Sequence, residues 1–113
     1  ILPKEVLTAI SWPNSLTKIS KIMRENEPCR RFAQDQAAHW SAILGEMSGD
    51  QSALIITHGG IIELGALGLS PDGDPDSWGG AIGYCEGFRF TKQGDGLICE
   101  VLRLPDQLRL IDN

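Results

Sequence analysis

The residues best suited to chemistry are Thr57 and His58, which are followed directly by Gly59 and Gly60. A histidine can move a proton or donate a hydrogen bond to a phosphate near neutral pH. The two glycines let the backbone turn sharply and come close to a ligand. The free amides at the start of a following helix attract anions. These residues together predict a phosphate-binding turn, with His58 as the candidate catalytic residue.

Two apolar segments flank this turn and would have to position it. Residues 53–56 are all apolar, and such a short, β-branched run is typical of a strand buried on both faces of a parallel sheet. Residues 61–67 are mostly apolar and predict a helix packed against that sheet. A strand, a polar tip, a glycine turn and a helix form the arrangement that places ligands at the carboxyl edge of an α/β sheet.

Two further helices are predicted upstream of the turn. Residues 16–23 alternate apolar and basic side chains at helical spacing, and Asn14 or Ser15 can cap them. Residues 29–47 carry the strongest helical periodicity in the chain, with Pro28 suited to the first turn. His39 falls away from the centre of the apolar stripe, so we expect it at the surface without a catalytic role.

Downstream of the turn, the sequence predicts a loop and a β-hairpin. Residues 68–80 are rich in glycine, proline and aspartate, and Trp78 within them is expected to plug a sheet edge or to border the site entrance. Three alternating aspartates in this loop lack the glycine and glutamate of a calcium loop. Residues 81–91 and 97–104 read as an antiparallel pair at the edge of an otherwise parallel sheet.

Length and composition indicate one domain over residues 1–113, with 42% hydrophobic residues and a net charge of −5. The acidic balance argues against a nucleic-acid binder, although it allows a small anionic substrate. No apolar run predicts a membrane span or a signal peptide. The three cysteines show no metal-binding spacing, which favours free thiols in a reducing cytoplasm over a Cys85–Cys99 bridge. We expect a cytoplasmic protein with no metal and no cofactor.

The sequence IITHGGII at residues 55–62 resembles the second, C-terminal half of the histidine phosphatase superfamily, which includes the phosphoglycerate mutases. The resemblance extends more weakly through Trp78-Gly79, residues 84–87 and the hairpin. It implies a three-layer α/β/α sandwich whose mostly parallel sheet carries an antiparallel edge hairpin. Members of this family transfer a phosphoryl group through a phosphohistidine. His58 matches the family's second histidine, which donates a hydrogen bond to the phosphoryl group.

By the same resemblance, Gly59 and Gly60 would help to bind phosphate, and Thr57 and Trp78 would border the site. The chain departs from the family because no Arg-His-Gly signature, the family's nucleophile, occurs in it. No general acid can be assigned either. The resemblance therefore implies the C-terminal part of a phosphomonoester hydrolase or phosphomutase, inactive as 113 residues. Another chain or an N-terminal segment would complete the sheet, and the substrate would be a phosphorylated small molecule.

Two other classes of function remain open at the level of sequence. One is a catalytically inactive interaction module that kept the fold without the chemistry. The other is a nucleotide-binding α/β domain that uses Gly59 and Gly60 as a phosphate loop, although neither a GxGxxG fingerprint nor a P-loop lysine is present. The sequence leaves the natural substrate, the choice between mutase and phosphatase, and the oligomeric state open.

Overall fold

In the part of the chain that the structure describes, five α-helices are followed by one β-hairpin. The structure is a computed structural model that describes residues 2–49, 51–94 and 96–109. The elements are α1 (Lys4–Ile10), α2 (Leu16–Glu25), α3 (Glu27–Glu46), α4 (Ile61–Leu69), α5 (Pro75–Trp78), β1 (Gly87–Gln93), β2 (Gly96–Leu102) and a short 3-10 turn (Asp106–Leu108).

The starts of α2 and α3 follow from local capping chemistry. The Ser15 hydroxyl accepts a hydrogen bond from the Lys18 amide at 3.2 Å, and the Asn26 side chain accepts one from the Cys29 amide at 3.1 Å. Pro28 lies in the first turn of α3, where its missing N–H costs nothing. Both predicted upstream helices are confirmed, and α3 ends at Glu46, three residues before Gly49.

The centre of the core is the contact between α3 and α4. Gly65 of α4 lies against the Trp40 indole, and Gly68 lies against the backbone of Ala33. A side chain at either glycine would push the two helices apart. Leu64 is fully buried between them. The helix predicted after the glycine turn is therefore confirmed as a buried element.

The hairpin covers one side of this helical core with its aromatic residues. Phe88 pairs with Val101 and Phe90 with Cys99 in the antiparallel register. The Phe90 ring lies 6.0 Å from the Trp40 ring, and the Phe88 ring lies 5.1 Å from that of Trp78. The predicted hairpin is confirmed, but β1 begins at Gly87, so residues 81–86 form a loop.

The predicted sandwich with a mostly parallel sheet is wrong. Within the described ranges, the only sheet is the two-stranded antiparallel hairpin. Residues 53–56, predicted as a buried central strand, have no regular secondary structure, and Leu54 and Ile56 are each 85% exposed. A parallel strand needs neighbouring strands to pair with. The described residues provide none beside this segment, and residues 53–56 are all exposed.

One hydrophobic cluster joins the elements, from Val6 in α1 to Ile82 after α5, and the inner face of the hairpin packs against it. Across the described residues, no helix combines the length and apolar character needed to cross a bilayer.

Candidate functional site

His58 lies at the end of the irregular segment and directly before α4. Its side chain is exposed, and its backbone carbonyl accepts a hydrogen bond from the Ile62 amide at 3.1 Å. That hydrogen bond crosses the two glycines and is the first backbone bond between residues i and i+4 at the start of α4. The histidine side chain is therefore presented to solvent from a backbone position fixed by the helix.

The turn between His58 and α4 requires both glycines. Gly60 has a φ of +86°, in the left-handed region that other residues rarely adopt. Gly59 lies directly on the Trp12 indole, and a β-carbon there would collide with the ring. Both positions are thus determined by backbone shape and by close packing.

A buried carboxylate holds this turn in place. Glu63 is completely buried, and its Oε1 accepts a hydrogen bond from the Gly60 amide at 2.8 Å. Its Oε2 accepts one from the Trp12 indole N–H at 2.6 Å and one from the Ile82 amide at 3.2 Å. One side chain therefore joins the glycine turn, the loop between α1 and α2, and the loop after α5.

The electrostatics of Glu63 reflect two opposing effects. Burial raises the pKa of this carboxyl above its ordinary value, because removal from water disfavours the charged form. Hydrogen bonds from the Gly60 amide and the Trp12 indole lower the pKa, but their effect is smaller than that of burial. Sequence reasoning missed Glu63 and read its helix as simply apolar. The available signal was its place three residues after Gly60, where a glutamate can cap the helix start.

The loop that approaches the turn is fixed by a second buried carboxylate, Glu86. Its side chain is 1% exposed, and it accepts hydrogen bonds from the Gly83 and Leu104 amides at 2.9 and 3.0 Å. Arg103 donates to it at 3.0 Å. Arg109 Nε lies 3.0 Å from Glu86 Oε2 as an ion pair, although its N–H is not aligned for a hydrogen bond. This network anchors residues 83–86 to the chain after β2.

The net charge on this network favours ionised Glu86. Burial by itself would raise the pKa of the carboxyl, but the Gly83 and Leu104 amides and Arg103 together hold it below its ordinary value. Arg103 also donates to the carbonyls of Trp78, Gly80 and Ala81. Sequence reasoning gave no role to Arg103 or Arg109, and their local spacing carries no signal, because their partners lie 17 to 28 residues away.

The predicted border residues have different surroundings. Trp78 is 7% exposed and packs edge-on against Phe88 and over Gly73. These contacts place it in the core, and its role at the site entrance stays a prediction. Thr57 is half-buried and lines an apolar cavity described below. The phosphate-binding roles of His58, Gly59 and Gly60 also stay predictions.

An apolar cavity of about 490 Å³, which we call the α3 groove, lies beside the His58 turn. Its floor consists of the last turns of α3 together with α4. One wall is formed by residues 51–55 and Thr57, and the other by five consecutive residues of β1, from Phe88 to Lys92. His58, Gly59 and Gly60 do not line it. The His58 turn and the apolar groove are therefore neighbouring but separate features.

Within the described residues, the side chains form no metal site, and the Cys99 thiol is unsuited to nucleophilic chemistry. These residues contain no group of three or more His, Cys, Asp or Glu side chains that could hold a metal ion. His39 is exposed on α3, as predicted. The three cysteines are free thiols, and burial raises the pKa of Cys99 to about 11. A thiol with so high a pKa is protonated at neutral pH and is a poor nucleophile.

Comparison with known proteins returned no relative: no protein-family model, no curated protein and no solved structure matches this chain. The resemblance stated above therefore depends on the residues of the chain alone.

Proposed function

We propose that His58 is the phosphate-contacting histidine of a phosphoryl-transfer enzyme of the histidine phosphatase type, a phosphomonoester hydrolase or phosphomutase. The nucleophilic histidine would come from outside residues 1–113, because the only other histidine, His39, has no Arg-His-Gly context. The observation that carries the proposal is an exposed histidine held directly before a glycine turn that a buried carboxylate fixes.

The chemistry requires donors that are already in position when charge develops on the transferring phosphoryl oxygens. His58 supplies an imidazole N–H next to a backbone that cannot easily rearrange. The Gly59 amide has no hydrogen-bond partner among the described residues and can add a second donor. The Gly60 amide already donates to Glu63. We therefore assign Gly59 as the amide donor and Gly60 as the residue that shapes the turn.

Phosphate binding by the isolated chain tests the first part of this proposal. We expect inorganic phosphate to shift the imidazole NMR signals of His58 with millimolar or weaker affinity. One or two charge-assisted hydrogen bonds contribute only about 1.5–3 kcal/mol each. The signals of His39 serve as the internal control and should not move. Equal shifts at both histidines would contradict a specific site.

Turnover tests the second part. In a protein that also carries the nucleophilic histidine, His58→Ala should lower kcat by about a hundredfold or more, the usual cost of one transition-state donor. The melting temperature should barely change, because the His58 side chain is exposed. His39→Ala is the matched control and should retain full activity. Wild-type turnover in His58→Ala would refute the assignment.

The alternative function is a catalytically inactive interaction module, and one observation favours it. Leu54 and Ile56, two positions apart, are each 85% exposed beside an apolar groove, which is unusual for large aliphatic side chains. If para-nitrophenyl phosphate is not hydrolysed when the nucleophile is present, and His58 does not respond to phosphate, the interaction module becomes the better account.

A further inference from the structure

The face of β1 that carries the core aromatic residues ends in a cation. The Phe88 and Phe90 rings stack at 6.1 Å, and the Phe90 ring lies 6.0 Å from that of Trp40. Because alternate side chains of a strand point to the same face, Lys92 continues this row. Its register partner Leu97 is half-buried, as that face requires, whereas Lys92 itself is exposed. An aromatic surface therefore leads to an ammonium group near the turn of the hairpin.

The α3 groove runs along this row. Phe88, Phe90 and Lys92 all line it, and Trp40 and Met47 line it from the side of α3. Four residue steps of a strand cover about 13 Å, so the wall from the first aromatic ring to the cation is about that long. The groove is thus elongated, apolar along its length and cationic at one end.

The charge in the groove is opposite in sign to that of the protein. The chain has 15 acidic and 10 basic residues, with a net charge of −5. None of the described residues that line the groove is acidic, and its two charged residues, Arg89 and Lys92, are both cations. Arg89 is paired with Glu100 at 2.8 Å. Across the described ranges no carboxylate forms an ion pair with Lys92, so its charge is available to a ligand.

We propose that the α3 groove binds a free medium-chain carboxylate, with the alkyl chain on Trp40, Phe88 and Phe90 and the carboxylate at the Lys92 ammonium. Small-molecule sites are mostly apolar, carry a few polar groups that fix orientation, and enclose about 300–1,000 Å³. The cavity of about 490 Å³ falls in this range. A carboxylate is ionised at neutral pH and attracts the ammonium group. The inference does not depend on His58, which does not line the groove.

Other occupants match less of the groove. A neutral apolar molecule would cover the aromatic rings but leave the Lys92 charge unused. A small, highly charged anion would meet one available cation and a surface that is otherwise apolar. A second copy that docked with the same surface would bring the cations of one groove towards those of the other, and like charges repel. A chain with one anionic head matches both the length and the charge.

Titration of the purified chain with decanoate below its micelle concentration, followed by NMR, tests the proposal. We expect saturable shifts of the Trp40 indole signal and of the amides of residues 88–92. Hexanoate has the same head and four fewer methylenes, and each fully buried methylene contributes about fourfold in affinity. Hexanoate should therefore bind at least about tenfold more weakly. Equal affinities of the two acids would overturn the proposal.

The charge at the end of the groove is tested by Lys92→Met, which keeps an unbranched apolar side chain. This variant should bind decanoate about threefold or more weakly, the effect of an exposed ion pair, and should bind decanol as the wild type does. Lys18→Met, on the exposed face of α2, is the matched control and should bind both ligands normally. Both variants should melt as the wild type does, because both lysines are exposed.

The apolar floor is tested by Ile43→Gln, at a position that lines the groove and is 37% exposed. A polar side chain there should weaken the binding of decanoate and of decanol alike. Four results would overturn the proposal: unchanged decanoate affinity in Lys92→Met, an equal loss in Lys18→Met, shifts confined to residues outside the groove, or a self-associated chain whose groove excludes decanoate.

Discussion

Replacement of Glu63 by glutamine tests the role of the buried carboxylate most directly. The carboxylate accepts three hydrogen bonds, from the Gly60 amide, the Trp12 indole and the Ile82 amide. Glutamine has the same shape but offers one oxygen and one NH₂ group. If its oxygen keeps Trp12 and Ile82, the NH₂ group faces the Gly60 N–H, and at least one buried donor is left unpaired.

The expected cost follows from that single lost acceptor. A buried unpaired donor costs about 1–3 kcal/mol, so Glu63→Gln should lower the free energy of unfolding at neutral pH by about that amount. This is a substantial part of a typical net stability of about 5–15 kcal/mol, and the variant should still fold. Urea unfolding followed by tryptophan fluorescence measures the difference. Asp35→Asn, at an exposed position on α3, is the control and should change stability by less than about 0.5 kcal/mol.

The difference in unfolding free energy between the wild type and Glu63→Gln should depend on pH. This dependence distinguishes a buried ionisable group from one that is only well packed. Because burial raises the pKa of Glu63 above its ordinary value of 4.5, the folded state binds the proton more tightly than the unfolded chain does. The resulting stabilisation is fully present below pH 4.5 and is lost as the pH rises through the folded pKa. The stability gap between wild type and Glu63→Gln should therefore narrow from pH 4.5 upwards. A gap that is absent, or that widens with pH, would refute the reasoning.

Three further predictions concern the turn and the second carboxylate. Gly59→Ala should lower the melting temperature in a thermal unfolding scan, because its β-carbon would collide with the Trp12 indole. Gly49→Ala has open space around the new β-carbon and should leave the melting temperature unchanged. Equal effects of the two substitutions would contradict the packing of Gly59 on Trp12. Glu86→Ala should destabilise by about 1–3 kcal/mol, because it removes the acceptor of the Gly83 and Leu104 amides and the ionic partner of the half-buried Arg103 and Arg109. Glu100→Ala on the exposed hairpin surface should have little effect in the same urea assay. Because the pKa of Glu86 is lowered, its stabilisation is present above pH 4.5 and should be lost as the pH falls through its folded pKa, and a loss on raising the pH would be the contrary result.

The parts of the fold that the sequence predicts are those determined by neighbouring residues. The caps at Ser15 and Asn26 act within three positions of the residues they bond, and the periodicity of α3 is visible in its own sequence. The β-hairpin likewise depends on a short turn between two adjacent segments. The glycine turn before α4 could also be predicted, because two glycines that follow the polar residues Thr57 and His58 indicate a tight turn.

The parts that the sequence did not predict depend on distant residues. Residues 53–56 have the composition of a buried strand, but burial needs partner strands, and no local pattern reveals whether these are present. Glu63 and Glu86 look like ordinary surface charges until Trp12, 51 residues from Glu63, and Arg103, 17 residues from Glu86, are placed beside them. Charged residues are rarely buried without such partners, so the burial of these two could not be inferred from their neighbouring residues.

The way in which Arg103 holds the loop after α5 has a consequence for how this sequence can vary. Its guanidinium contacts the main-chain carbonyls of Trp78, Gly80 and Ala81, together with the carboxylate of Glu86 in the same loop. These three carbonyl contacts depend on the backbone path of the loop and not on the chemistry of the side chains at residues 78, 80 and 81. Lysine could not replace Arg103, because lysine carries three donors on a single nitrogen and cannot span the same acceptors. A substitution of Arg103 therefore removes all of these contacts at once, whereas a substitution in the loop disturbs them only when it changes the backbone path.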